Sequence, residues 1–216
     1  MGRRMWELGL RASPTLSLRE ASMPFLGDVL AVVGHHAQLG VLDGDDVLFV
    51  ERLTARDAVV NYSRVAGRLP AHISSCGHVL VAHGSPALQE RLLARPLARY
   101  TADTITSPQR LRSALDEVRR QGYSYLPGHV AKEAAGVAVP VRDGLNDVVA
   151  ALSVIVPNDG RAVGHVPVLL AAARGLARAL SASRSLRSVP TPLQTATPLQ
   201  TRTLSSDSGA NSSSGS

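Results

Sequence analysis

The chain has 216 residues, 44% of them apolar but only 3% aromatic, with a formal charge of +6. That is enough for one sizeable domain with a core of Val, Leu, Ile and Ala, and the charge is not a nucleic-acid signature, because scattered arginines supply it and Lys132 is the only lysine. The single cysteine, Cys76, excludes an internal disulfide framework and fits a reducing cytoplasm, and no apolar run approaches the roughly 20 residues of a membrane span.

Residues 3–18 carry Met5, Leu8, Leu10, Leu16 and Leu18 among arginines, with Trp6 among them, and predict a short helix that Pro14 breaks or kinks. Its apolar stripe has little to pack on locally and is expected to meet another chain. The basic start leads into this amphipathic stretch and not into an apolar signal-peptide core. A second helix is expected from Ser22 through Phe25, Leu26, Val29, Leu30 and Val33, ended by Gly34.

The period then changes. Segments 38–42 and 47–53 flank Asp43-Gly-Asp-Asp46, a strong hairpin signal, and 58–65 reads as a third strand. Ser74 or Ser75 caps a helix containing Val79, Leu80 and Ala82, and Pro86 opens another that runs to Leu93. Ser107-Pro-Gln-Arg-Leu111 starts a third helix, with Leu111, Leu115 and Val118 as its stripe and Gly122 as its left-handed stop. Strands are expected at 123–126, 135–141 and 147–156, then a closing helix at 166–180. Beyond Ser183, the repeat Thr-Pro-Leu-Gln-Thr and a Ser/Gly-rich end have no apolar face to bury and predict a disordered tail. Helices, a meander, more helices, strands and a final helix together describe an α+β domain with an antiparallel sheet.

Catalytic signatures are missing: there is no Gly-x-Ser-x-Gly elbow, no His-Glu-x-x-His and no phosphate-binding glycine loop. His72, His78 and His83 crowd one region, yet 78 and 83 would not share a helix face as metal ligands do, and they read as solvated or capping side chains. The aspartates at 43, 45 and 46 belong to the hairpin, and their spacing is not that of a calcium loop. Cys76 reads as a small apolar residue at a helix start before it reads as a nucleophile.

Binding has better support. Strand 147–156 is apolar on both faces, with Val148, Ala150, Leu152, Val154 and Val156 on one and Val149, Ala151, Ser153 and Ile155 on the other. Ser153 is its only polar residue after the turn, and its hydroxyl needs a partner, either backbone or ligand. Gly136, Ala138 and Pro140 give strand 135–141 one face of small groups, which suits a close-packed helix or a ligand. If a ligand lies there, leucine at Gly136 should fill its space without unfolding the domain. Ser74-Ser-Cys-Gly77 offers unpaired backbone N–H groups at a helix start, for self-capping or for a carboxylate.

Three segments carry a resemblance. Gly67-Arg-Leu-Pro-Ala-His-Ile-Ser-Ser-Cys-Gly-His-Val-Leu-Val-Ala82 and the stretch from Gly136-Val-Ala-Val-Pro-Val-Arg-Asp-Gly to Ser153-Val-Ile-Val-Pro157 resemble the effector-binding domain of IclR-type bacterial transcriptional regulators. Gly2-Arg-Arg-Met-Trp-Glu-Leu-Gly-Leu looks like the linker helix that follows their winged helix-turn-helix. The resemblance covers residues 3–183. It implies a curved antiparallel sheet with helices on both faces, akin to GAF-type sensors, and a division into a linker and dimerisation helix at 1–20, a sensor at 21–183 and a tail at 184–216. The implied function is to sense a small-molecule effector, a carboxylate or related metabolite, and to control DNA binding.

Carried onto this chain, the ligand-binding positions are Leu69, Ser75, Cys76, Leu126, Gly136, Ser153 and Ile155. Leu126 stands where the family commonly has an acid, and Ile155 and His78 replace a hydroxyl and a lysine, so a less polar pocket is expected. No cofactor, metal or catalytic residue is implied. The expected partners are a second copy, as homodimer or tetramer, and DNA only through an N-terminal domain that this sequence does not display or through a full-length relative. A small enzyme using Cys76 or a histidine, or a stand-alone metabolite-binding protein on the same scaffold, is the alternative.

Overall fold

The computed structural model describes the backbone of residues 2–187 and the side chains of residues 15–182. The side chains of Met5, Trp6 and Leu8, and residues 188–216 of the expected tail, lie outside that description. The first helix, α1 (Gly2–Val33), leads into the hairpin β1 (His36–Asp43) and β2 (Asp46–Thr54), whose ends pair at Asp43 and Asp46 across Gly44-Asp45. A short strand, β3 (Arg68–Pro70), precedes three helices: α2 (Ser75–Ala82), α3 (Pro86–Leu93) and α4 (Pro108–Gln121). Strands β4 (Ser124–Pro127), β5 (Ala134–Arg142) and β6 (Val148–Pro157) follow, then the closing helix α5 (Val166–Arg187).

The six strands form one curved antiparallel sheet in the order β3-β2-β1-β6-β5-β4, with helices on both faces. On one face Leu26 and Val29 of α1 and Leu169, Ala173 and Leu176 of α5 bury Val137, Val139, Leu152 and Val154. On the other, Val79 of α2 and Leu111, Leu115 and Val118 of α4 cover Phe49, Ala138 and Ala151. The central strand β6 is thus closed on both sides, as its apolar sequence predicts. Capping signals hold as well: Ser107 Oγ accepts from Arg110 N, and Gly122 leaves α4 at φ +82°.

Three expectations are corrected. Pro14 does not divide the N-terminal segment: α1 runs unbroken through residue 20, because a missing backbone donor in a helix of 32 residues is a local defect. Residues 58–65 are not a strand. Side chains of β1, β2 and the residue before β1 bind part of their backbone where a ladder would otherwise run: His36 Nε2 donates to Val59 O, Arg52 to Ser63 O, and Val59 N donates to His35 Nδ1. Only Arg68–Pro70 pairs with β2. Finally, a one-residue bulge makes Val141 pair with Ala150 but Arg142 with Val148, so Val148 packs on the Ala151 side and not with Ala150.

The segment Ala162–Ala182 has the length and mean hydropathy, 1.2, of a membrane span. Its Leu169, Ala173 and Leu176 lie in the core against the sheet, which accounts for that composition in a core helix.

Candidate functional site

The site is built around the start of α2. Leaving β3 at Pro70, the chain makes one 3-10 turn, Ala71–Ile73, and Ser74 then takes an extended conformation. Ser74 caps the helix: its carbonyl accepts from His78 N at 2.9 Å and its Oγ from Gly77 N at 3.4 Å. Gly77 rests on the preceding turn, where a Cβ would lie 2.2 Å from Ala71 O. This close approach presses the helix start against the sheet, where a Cβ at Gly136 would lie 2.9 Å from Ser75 Oγ.

Strand register supplies the opposite wall. Ile155 pairs with Gly136, and Gly136 with Leu126, so one cross-strand row runs over β6, β5 and β4. The next row is Gln38, Ser153, Ala138 and Ser124. Between these rows and the start of α2 lies a cavity that opens to solvent. Phe49 and Ile73 help to form its apolar lining, and Val60, Asn61 and Tyr62 of the loop after β2 stand at its wall.

Of the seven expected binding residues, Leu69, Ser75, Leu126, Gly136 and Ile155 line this cavity together. Cys76 and Ser153 do not stand on its wall. They are fully buried beside it, with the Cys76 thiol bonded to Ser153 Oγ at 3.0 Å. The hydroxyl that needed a partner therefore has one in the protein. Burial pushes the Cys76 thiol up to about 12, only partly opposed by that hydrogen bond.

Sequence reasoning missed polar residues of the cavity, among them Gln38, Asn61 and His129. Gln38 Oε1 accepts from Asn61 Nδ2 at 3.1 Å and from Ser63 Oγ at 2.7 Å, which ties the loop after β2 to the sheet. A glutamine in the otherwise apolar run 37–42 of β1 was the available signal. His129 follows Leu126-Pro-Gly128 at the end of β4 and is fixed through its backbone, where Thr104 Oγ1 donates to His129 O at 2.8 Å. Its Nδ1 bonds Pro127 O at 3.0 Å, and its Nε2 is buried with no partner among the described residues. Burial holds its pKa below the ordinary histidine value, against the opposing effect of the Pro127 carbonyl.

The histidines at 72, 78 and 83 do structural work, and His72 and His78 are buried, not solvated. His72 Nε2 bonds Ala98 O at 3.0 Å, and the fully buried His78 bonds His72 O at 2.9 Å through Nε2. Desolvation takes His78 down to about 4, so it is neutral. His83 Nδ1 bonds Val79 O at the end of α2. Asp45 of the hairpin is held by Arg91 and Arg95, with Arg91 Nε at 2.8 Å. Among the described residues no group of three or more His, Cys, Asp or Glu is placed to hold a metal ion. The arrangement is suited to holding a small molecule, with apolar walls, a helix N-terminus and a few polar groups.

Residues 11–182 match the family model described as "Bacterial transcriptional regulator IclR C-terminal". The chain is 31% identical over 154 residues to the HTH-type transcriptional regulator XynR of Escherichia coli strain K12, covering 71% of this chain and 61% of that protein. It is 30% identical over 168 residues to the Pca regulon regulatory protein of Pseudomonas putida, covering 74% and 57% respectively. The chain thus spans about three fifths of the length of these relatives. Among solved structures, an IclR homologue from Microbacterium hydrocarbonoxydans complexed with 4-hydroxybenzoate superimposes with a TM-score of 0.78 at 43% identity, over 84% of this chain and 75% of that one.

Proposed function

The chain belongs to the IclR family of bacterial transcriptional regulators, with residues 11–182 forming its effector-binding domain, and from that membership we propose that the cavity beside α2 binds a small organic acid. One observation carries the reading: the capped start of α2, with Ser74 and Ser75, packs against Gly136 and lines one largely apolar cavity together with Gly136 and Ile155. A helix N-terminus places backbone donors and the positive end of its dipole where a carboxylate is stabilised. Leu69, Ser75, Leu126, Gly136 and Ile155 are the contacting wall in this proposal, and Cys76 with Ser153 supports it from behind. The similar protein that holds 4-hydroxybenzoate makes aromatic acids the first class to try.

In the same proposal, effector binding favours one arrangement of the domain over another and passes that preference to DNA-binding domains in the same polypeptide or in a partner. The protein acts in the cytoplasm as a homodimer or tetramer, has no enzymatic activity, and divides into a linker and dimerisation helix at 1–20, a sensor at 21–183 and a dispensable tail at 184–216. Thermal-shift and calorimetric screening against aromatic and short-chain organic acids tests the central point. Saturable binding that Ser75→Tyr abolishes is expected, and a panel with no binder overturns the reading.

A further inference from the structure

His129 brings a second polar determinant to this cavity. It reaches the wall from the loop after β4, and Thr104 and Thr101 fix that loop by donating to the carbonyls of His129 and Gly128. The residue is 8% exposed. One ring nitrogen is committed, since Nδ1 can satisfy the Pro127 carbonyl only as a donor, at 3.0 Å. In a neutral imidazole the other nitrogen must then be a lone-pair acceptor. That nitrogen, Nε2, is buried and has no partner among the described residues.

A buried acceptor without a donor costs free energy until something supplies one. No protein donor reaches it among the described residues, and Gln38 Oε1 on the same cavity wall is itself an acceptor, taken up by Asn61 and Ser63. From this geometry we infer that His129 Nε2 accepts a hydrogen bond from a hydroxyl of the effector, so that the site selects hydroxylated acids over their unsubstituted parents. This rests on the cavity being the effector site and adds a specificity that the helix start cannot give. The backbone N–H groups of α2 are donors and attract an anion, whereas His129 is an acceptor and requires a donor from the ligand. The two would read opposite polar groups of one molecule.

The test compares benzoate with its three ring-hydroxylated isomers, and the matching benzamides, by calorimetry on the full chain. Wild-type protein should bind at least one hydroxylated isomer about tenfold or more tightly than benzoate, the value of one well-formed hydrogen bond. His129→Phe should remove that preference, bringing the hydroxylated isomers to the affinity of benzoate, and His129→Gln, which keeps an acceptor, should restore part of it. Circular dichroism and the thermal midpoint establish that each variant is folded. Equal affinities for benzoate and all three isomers in the wild type overturn the inference, as does a preference that survives in folded His129→Phe. Hydroxylated benzamides binding as tightly as the acids would sink the carboxylate reading and leave the hydroxyl inference standing. Failure of every compound to bind overturns both.

Discussion

The Cys76 thiol lies 3.0 Å from Ser153 Oγ, and both residues are fully buried between α2 and the sheet. Two groups that sequence offers separately, a possible nucleophile and a possible ligand contact, are each other's partner. The pair stands behind the cavity wall, so its first role is to join helix to strand.

Cys76 should therefore be inert. With burial raising the thiol to about 12, only about one molecule in ten thousand carries a thiolate at pH 8. Ellman's reagent should label the native protein only at the rate of unfolding, and label it promptly in denaturant. Fast stoichiometric labelling of folded protein would revive the enzyme alternative.

Ser153→Ala should act on stability before affinity. It removes the acceptor of a buried thiol, a loss of about 1 kcal/mol, with Ala151 O at 3.7 Å as the remaining acceptor. Urea titration should show that loss, and effector affinity should change by less than about threefold, short of the loss of a direct hydrogen bond. A tenfold weaker Kd with unchanged stability would put the hydroxyl on the ligand.

Gly136 is tighter than a stripe of small residues suggests. A Cβ there meets Ser75 Oγ at 2.9 Å and Ile155 Cδ1 at 3.3 Å, both ends of side chains that can move. Gly136→Ala should cost about 1–2 kcal/mol and weaken effector binding by displacing Ser75. Gly136→Leu should not stay folded, which reverses the expectation of a void waiting to be filled. A stable Gly136→Leu protein in thermal melts would show that the helix start can withdraw.

Gly77 allows no such relief, because the obstacle is backbone. A Cβ 2.2 Å from Ala71 O forces α2 off the preceding turn. Gly77→Ala should destabilise the domain by more than about 3 kcal/mol, at the severe end of single substitutions. Soluble expression with a native thermal midpoint would contradict this packing.

Acid should destabilise the domain through His78. Its folded pKa, about 4, lies below the unfolded value of 6.5, so the unfolded chain binds its proton first. Stability contributed by the neutral ring is fully present above pH 6.5 and is lost as pH falls towards 4, on the order of 3 kcal/mol in all. His36, His83 and His129 are also lowered, chiefly by burial, and act in the same direction. Urea midpoints measured between pH 7 and 4.5 should fall, with a shallower slope in His78→Gln. Identical slopes in the two proteins would acquit His78.

The sequence alone determined the elements whose signals are local. Ser107-Pro and Gly122 bounded α4, Asp43 to Asp46 made the hairpin, and the two-sided apolar run of β6 marked the central strand. Each rests on the conformational preference or hydrophobic period of neighbouring residues, which the chain carries wherever it folds. Family likeness added Leu69, Ser75, Leu126, Gly136 and Ile155, and these five converge on one cavity. Tertiary structure decided the rest. Residues 58–65 have a strand's composition, yet side chains of β1, β2 and the residue before β1 bind part of their backbone, a competition no local pattern records. The bulge that turns Val148 over depends on pairing between strands. His129 became a site residue because a loop fixed by Thr101 and Thr104 places it there. Ser153 found its partner in a residue far away along the chain. Hydrogen-bond partners and cavity walls are properties of distance in space, and only the packed chain sets those distances.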